Sequence, residues 1–451
     1  MKPMNILVIN GSPKGEHSIT LQTVFYLEKL NPQHKFQILH AGQKIKALEK
    51  DFTPAIDAIK EADVLLFSYP VYTFIAPCQL HRFIELLKEH PVNVAGKIAT
   101  QITTSKHFYD VTAHRYIQDN CQELGMNFIR GLSADMEDLT TKKGQKEASD
   151  FWTHFCWRVE KNYFEPVHTF PVTLAYHQAT VPEISVAKQD GDVVIVTDCA
   201  PENESLSAMI ARFQAVLPKK TRIVNISEYP FKGGCLGCFN CAVDGKCIYK
   251  DGFDTFLREN IQKADAIVYA FTIRDHSMGA RFKMYDDRQF CNGHRTVTIG
   301  MPVGYLVSGC YSAETNLQTI IEGRANVGQN ILTGVATDES DPNGEIDRLA
   351  DSLVYALEHK NTTPQNFYGV GGMKIFRDLI YQMQGMMRAD HKFFKSHGQY
   401  DFPQKKKGQI ALMYLVGSML ANKKLKAKMG SKMNEGMLMP YKKVLDELDK
   451  K

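Results

Sequence analysis

Four thiols stand close together in the second half of the chain: Cys235, Cys238, Cys241 and Cys247, spaced C-x2-C-x2-C-x5-C among Gly234, Gly237 and Gly245. Such short spacings let a chain wrap one compact centre, and four thiolates suit either an iron–sulfur cluster or zinc. Zinc sites usually pair two C-x2-C units across a longer spacer, so the tight triplet favours iron–sulfur. Asp244 and Lys246 read as solvated neighbours. The other six cysteines, Cys78, Cys121, Cys156, Cys199, Cys291 and Cys310, are scattered and read as small buried hydrophobes.

A second kind of chemistry sits near the start. Between an apolar run and a helical pattern lies Asn10-Gly11-Ser12-Pro13-Lys14-Gly15-Glu16-His17-Ser18-Ile19-Thr20. A bound phosphate needs hydroxyls, free backbone N–H groups at a helix start and preferably a cation. Ser12, Ser18 and Thr20 offer hydroxyls, Lys14 offers charge, and Gly11 and Gly15 allow close backbone approach. Read alone, the same residues also make a turn with Ser18 as helix cap. Two further loops shift the balance: Ser68-Tyr69-Pro70-Val71-Tyr72-Thr73-Phe74 and Thr103-Thr104-Ser105-Lys106-His107-Phe108. All three leave strands at one sheet edge, and a flat tricyclic ring needs such aromatic surface and backbone groups. Together they predict a flavin site. The corresponding loop of the second half, Asp198 to Ser205, carries three carboxylates and no cation. Its third-strand loop lacks Pro-Val-Tyr, so a second flavin is disfavoured there.

The elements that must position these loops follow from periodicity. Short apolar runs alternate with helical segments, which signals parallel sheets with crossover helices. Strands are expected at 5–10, 35–40, 62–67, 97–103 and 126–131, with helices near 18–30 and 145–162. The order then repeats: Asp192 to Thr197 matches the first strand, and Ala264 to Tyr269 the third. The offset is 188 at the first strand and 202 at the third, so the second half is 14 residues longer between them. That insertion follows the second strand and holds the four cysteines. The expected fold is α/β: two tandem flavodoxin-like, doubly wound, parallel five-stranded sheets plus a C-terminal helical extension. Expected domains are 1–165, 184–360 and 361–451, with residues 165–183 (Pro166, Pro171, Pro182) as the connector.

Composition bounds the rest. The 451 residues are 44% hydrophobic and 23% charged, with a net charge of +4. That excludes wholesale disorder and a global basic field for nucleic acid, and ten cysteines are too sparse for a disulfide scaffold. No signal peptide is read at the start. The longest apolar stretch, Ile410 to Ala421, makes about 18 Å of helix against a bilayer core of about 30 Å. A cytoplasmic protein is therefore expected. Residues 371–451 hold 17 Lys+Arg against 7 Asp+Glu and ten of the 18 methionines. In this tail Lys405 to Lys407 and Lys423, Lys424, Lys426 and Lys428 bracket the apolar stretch. It reads as a helix packed on the body or on a partner subunit, an interfacial membrane contact being the alternative. The glycines of Tyr368-Gly369-Val370-Gly371-Gly372 are expected in a turn.

Ile6 to Thr20 followed by Tyr69-Pro70-Val71-Tyr72 resembles the flavodoxin-like NAD(P)H-dependent FMN reductases. The cysteine loop resembles the iron–sulfur flavoprotein branch of that family, whose compact motif holds a [4Fe–4S] cluster. The resemblance implies FMN with its phosphate on Ser12, Lys14, Ser18, Ile19 and Thr20. It places the ring against Pro70, Val71, Tyr72, Thr73 and Phe74, with Thr104 and Ser105 beside it. Cys235, Cys238, Cys241 and Cys247 would be the cluster ligands. The activity implied is an oxidoreductase taking hydride from NAD(P)H and passing electrons between flavin and cluster. No side chain is assigned as a catalytic acid or base. The partner expected is a small-molecule or protein electron acceptor, and a homo-oligomer is possible. Three rivals stand beside it: an FMN-only quinone, nitro- or azo-compound reductase; a non-catalytic electron carrier; and a zinc-stabilised interaction scaffold.

Overall fold

A run such as Asn5-Ile6-Leu7-Val8-Ile9-Asn10 has no polar face, which suits a parallel strand covered on both sides by helices. The computed structural model describes residues 2–167, 176–421, 424 and 432–448. Pro171 of the expected connector and Lys423, Lys426 and Lys428 of the basic flank lie outside the described residues. In the first half, β1 (Asn5–Asn10), β2 (Lys35–Leu39), β3 (Val64–Pro70) and β4 (Ile98–Ser105) form a parallel sheet in the order β2-β1-β3-β4. The fifth strand expected at 126–131 is two short ones, β5 (Asn127–Phe128) and β6 (Leu132–Asp135), both on β4. This sheet thus counts six strands rather than five. The break falls next to Gly131, where a Cβ would stand 2.1 Å from Gln101 O, so only glycine fits there.

The helices of this half are α1 (Ile19–Leu30), α2 (Ala41–Leu48), α3 (Thr53–Glu61), α4 (Cys78–Glu89), α5 (Asp110–Glu123) and α6 (Lys142–Lys161). The second half repeats the strand order with β7 (Gln189–Thr197), β8 (Lys219–Asn225), β9 (Ala266–Thr272), β10 (Pro302–Ser308) and β11 (Ile331–Thr337), all parallel. Its helices are α7 (Glu204–Val216), α8 (Asn240–Asp244), α9 (Phe253–Asn260), α10 (Gly279–Arg288), α11 (Thr315–Gly328) and α12 (Pro342–His359). The extra length indeed lies between β8 and β9, where the cysteine loop and α8 stand.

Three apolar cores result. One outer core packs α1 and α6 on the first sheet, around Leu21, Trp152 and Phe155. The other packs α7 and α12 on the second, around Phe213 and Leu353. The inner core is shared: Leu7, Ile9, Leu80 and Tyr116 from the first half are continuous with Val194, Phe271, Tyr285 and Ile320 from the second. Across it α4 packs on α10 and α5 on α11. Each helix thus meets the helix that holds the same place in the strand order of the other half. Polar bonds cross the same seam. Asp275 accepts from His81 Nδ1 (2.6 Å) and Tyr116 Oη (2.8 Å), and Glu85 accepts from Ala280 N (2.7 Å). Burial opposes ionisation of Asp275, yet His81 and Tyr116 hold it down at about 2.

Residues Met1–Phe393 form one compact unit and Phe394–Lys451 a second. The first includes α13 (Phe367–Gln382), which packs along α11. Gly369 and Gly372 are not in a turn but inside α13: a Cβ on Gly372 would stand 2.7 Å from Val327 and 2.8 Å from Phe108. The helix α14 (Arg388–Ser396) follows, and the second unit carries α15 (Lys407–Ala421) and α16 (Lys432–Leu448). Among the described residues no helix is long and apolar enough to cross a membrane.

Candidate flavin and thiol site

The loop after β1 is folded by its own polar groups. Asn10, fully buried, donates to Gly15 O (2.9 Å) and accepts from Ser12 N (3.1 Å), while Ser12 Oγ accepts from Lys14 N (3.3 Å). A Cβ on Gly11 would stand 2.7 Å from Leu80, so only glycine lets α4 come this close. Ser18 occupies the cap position of α1 but makes no side-chain cap bond, and no acidic residue lies in the first turn. The helix start therefore keeps its N–H groups and partial positive charge for an anion. Thr20 and Thr104 share a hydrogen bond of 2.6 Å between their hydroxyls, tying α1 to the end of β4.

Eleven of the twelve residues expected around the flavin line one cavity: Ser12, Lys14, Ser18, Ile19, Thr20, Pro70, Val71, Tyr72, Thr73, Thr104 and Ser105. The twelfth, Phe74, is buried away from it against Phe108 and Tyr109, with ring centroids 5.0 and 4.1 Å apart. The reason is backbone geometry: Thr73 and Phe74 have φ of 46° and 76°, which turns the Phe74 side chain inward. This costly turn is gripped from the second half. Asp287 accepts from Thr73 Oγ1 (3.0 Å) and from Cys78 N (2.8 Å), and the buried Lys283, paired with Asp287, donates to Tyr72 O (3.1 Å).

All four expected ligand cysteines line the same cavity from the opposite wall, and so does Cys291. Tyr72 Oη donates to Leu236 O at 3.3 Å, joining the two walls, and Lys14 Nζ lies over the Phe239 ring, 6.0 Å from its centre. Arg288 braces the thiol wall. It is buried, pairs with both oxygens of Asp251 (2.7 and 2.8 Å), donates to Gly233 O (2.9 Å) and stacks 4.6 Å from the Tyr249 ring centre. The third wall is Ile375, Phe376 and Leu379 of α13, with Phe376 4.6 Å from Phe108 and 4.8 Å from His294. Neither this wall nor Cys291 was expected. The one sequence signal was the Gly-x-x-Gly spacing of Gly369 and Gly372, which suits close helix packing as well as a turn.

The thiols make separate bonds. Cys241 donates to Phe290 O (2.8 Å), Cys235 Sγ accepts from Gly237 N (3.4 Å), and Arg288 Nη2 stands 3.9 Å from Cys247 Sγ. Burial pushes the Cys235 thiol up, Cys241 up to about 11 and Cys291 up to about 12. Among the described residues no three His, Cys, Asp or Glu side chains gather closely enough to hold one metal ion. The arrangement does not fit a zinc site, which needs four ligands on one tetrahedron. The flavin cradle does fit its group: uncapped helix start, three buried hydroxyls, one lysine and an aromatic wall.

In the second half the corresponding edge is closed from within. Asn203 caps α7, accepting from Leu206 N (3.1 Å), and Glu204 opens the first turn. Ser205 and Ser308 stand where Thr20 and Thr104 stand in the first half. Both donate to Asp338 Oδ2 at 2.6 Å, and Gly309 N donates to Oδ1 at 2.9 Å. Asp338 is 1% exposed. A carboxylate of the chain itself thus takes the donors that would meet a phosphate.

Residues 4–137 match the family model of NADPH-dependent FMN reductase. The matched segment is similar to that family and covers under a third of the chain. No curated protein matches the chain. Solved structures similar to it include an NADH:FMN oxidoreductase in apo form, at 20% identity over 38% of this chain and 93% of that one, with a TM-score of 0.31. The NAD(P)H:acceptor oxidoreductase of Paracoccus denitrificans shares 18% identity over 33% and 94%, with a TM-score of 0.27. An FMN-dependent NADH-azoreductase of Bacillus anthracis, solved with FMN, shares 13% over 34% and 99%, with a TM-score of 0.28. The matched segment ends just after β6, and the cavity is completed by residues beyond it.

Proposed function

We propose that the chain is an NAD(P)H-dependent oxidoreductase holding one FMN in the first half, with the cysteine loop as the next station for electrons. The observation that carries this reading is the single cavity shared by the phosphate loop and Cys235, Cys238, Cys241 and Cys247. Bound FMN would supply hydride acceptance and one-electron release, which makes a neighbouring one-electron centre useful. The protein's part is positional. Ser12, Lys14, Ser18, Ile19 and Thr20 anchor the phosphate, and Pro70 to Thr73 with Thr104 and Ser105 border the ring. Phe108, Phe376 and Tyr72 exclude water, while Lys283 and Asp287 fix the loop that carries Tyr72.

Four cysteines around one cavity support a [4Fe–4S] cluster, whose thiol ligands surround a body larger than one ion. A specific observation favours the FMN-only reading instead: Cys241 and Cys235 are engaged in separate bonds with the backbone. Anaerobic purification followed by FMN, iron and sulfide analysis decides between them. About one FMN and about four iron per chain, with a broad absorption shoulder that dithionite bleaches, are expected. FMN without iron leaves a flavin reductase of a small-molecule acceptor. Protein that neither carries nor takes up FMN sinks both.

A further inference from the structure

The stretch from Phe402 to Asn434 contains eight lysines and no acidic residue. Within it α15 exposes Ile410, Leu412, Met413, Tyr414, Leu415 and Met419, each between 41% and 76%. Residues 412 to 415 follow one another at about 100° per residue, so the apolar surface runs around the whole helix. A helix apolar on every side needs apolar cover. At 15 residues it is about 22 Å long, too short for a bilayer core of about 30 Å. The next helix, α16, adds an exposed stripe at Leu438, Tyr441, Leu445 and Leu448, spaced as one helical face.

Charge selects the cover. Packing against the same segment of a second copy would bring eight lysines against eight more, with Asp401, paired with Lys406 at 3.1 Å, standing just outside the segment. A lipid surface bearing phosphates meets both needs at once, because apolar side chains sink to the headgroup boundary and lysines at the helix ends reach the anions. We propose that α15 and its flanking lysines dock the protein peripherally on an anionic lipid bilayer. This does not rest on the flavin reading, and either can fail alone.

The test is co-sedimentation of the full-length protein with vesicles of phosphatidylcholine, with and without one-third phosphatidylglycerol. Binding only to the anionic vesicles, weakening as salt rises, is expected. Lys405→Gln/Lys406→Gln/Lys407→Gln should weaken it about a hundredfold, at about 1 kcal/mol per lysine. Leu412→Ser/Leu415→Ser should reduce it at least as much with every lysine retained, and the melting of the two-sheet body should be unchanged in both variants. Failure of the wild type to sediment with anionic vesicles overturns the proposal. So does binding that the serine variant leaves intact, since charge alone would then explain it. Self-association lost in the serine variant, with no vesicle binding, would assign the face to a second copy and overturn it equally.

Discussion

The two sheets have the same strand order, the same helices and the same hydroxyl pair at the same edge, yet they treat an anion in opposite ways. In the first half Thr20 and Thr104 bond each other, α1 starts uncapped, and Lys14 stands at the opening. In the second, Ser205 and Ser308 both donate to Asp338, α7 starts with a capping Asn203 and Glu204, and the loop has no cation. A fold fixes where an anion could sit, whereas a handful of side chains decide whether it comes from solution or from the chain. The second half has instead kept the surfaces its partner needs: α10 and α11 for the seam, Lys283 and Asp287 for the ring loop, and the thiol wall.

The sharpest way to break this contrast is Asp338→Ala. It leaves two buried hydroxyls and Gly309 N without their shared acceptor, a loss on the order of 3 kcal/mol of stability. FMN should stay at one per chain, because Glu202 and Glu204 still oppose a phosphate. Thermal melting and flavin-to-protein ratio read the two effects separately, and a wild type carrying two FMN would end the contrast. Next in size is Lys14→Glu, which gives the first loop the charge of the second. FMN affinity should fall about a hundredfold by fluorescence titration, with melting of the apoprotein little changed. Unaltered FMN binding would remove Lys14 from the phosphate site.

How much of this was legible in the sequence depends on range. Two parallel sheets, their strand order and the longer stretch between β8 and β9 were readable because apolar runs and their spacing are local. The hydroxyls of the loop after β1 and the cysteine spacing are local too, and both sets of residues line one cavity. The inward turn of Phe74 was not readable, since it depends on φ values held by Asp287, more than two hundred residues away. Asp338 reads as one acid in the run Asp338-Glu339-Ser340-Asp341, and nothing local says that a serine of α7 and another of β10 converge on it. The α13 wall was hidden for a similar reason: its glycines fit a turn as well as a close helix contact, and only α11 and Phe108 decide.

The grip on the ring loop sharpens the comparison from the other side. Asp287→Asn keeps the size of the side chain but leaves the buried Lys283 with only the more distant Asp286, 3.5 Å away, and weakens the hold on Thr73. FMN affinity should fall about tenfold, and the flavin potential should shift, since the loop borders the ring. Asp287→Glu should restore part of both. An unchanged potential together with reduced stability would make the pair a purely structural clamp.

The smallest effect concerns the seam that lets one half serve the other. His276 lies 2.8 Å from Glu314 and 3.2 Å from Glu123 of the opposite half, and Glu123 also pairs with Lys88. Burial and Lys88 disfavour the imidazolium, but the two carboxylates prevail and raise His276 to about 9 from an ordinary 6.5. Glu123, though partly buried, is held down at about 2 by His276 and Lys88. A raised histidine contributes stability that is complete below its ordinary value and is lost as pH climbs through the folded one. The seam should therefore be firmest between about pH 4.5 and 6.5, where Glu123 is ionised and His276 protonated in full. From pH 7 to 9.5 the protein should lose on the order of 1 kcal/mol, read as a falling melting temperature. His276→Gln should flatten that slope while lowering stability at pH 6, because a neutral amide keeps the hydrogen bonds and discards the charge. If the variant melts with the same pH slope as the wild type, the alkaline loss arises elsewhere and the seam is held by its apolar core alone.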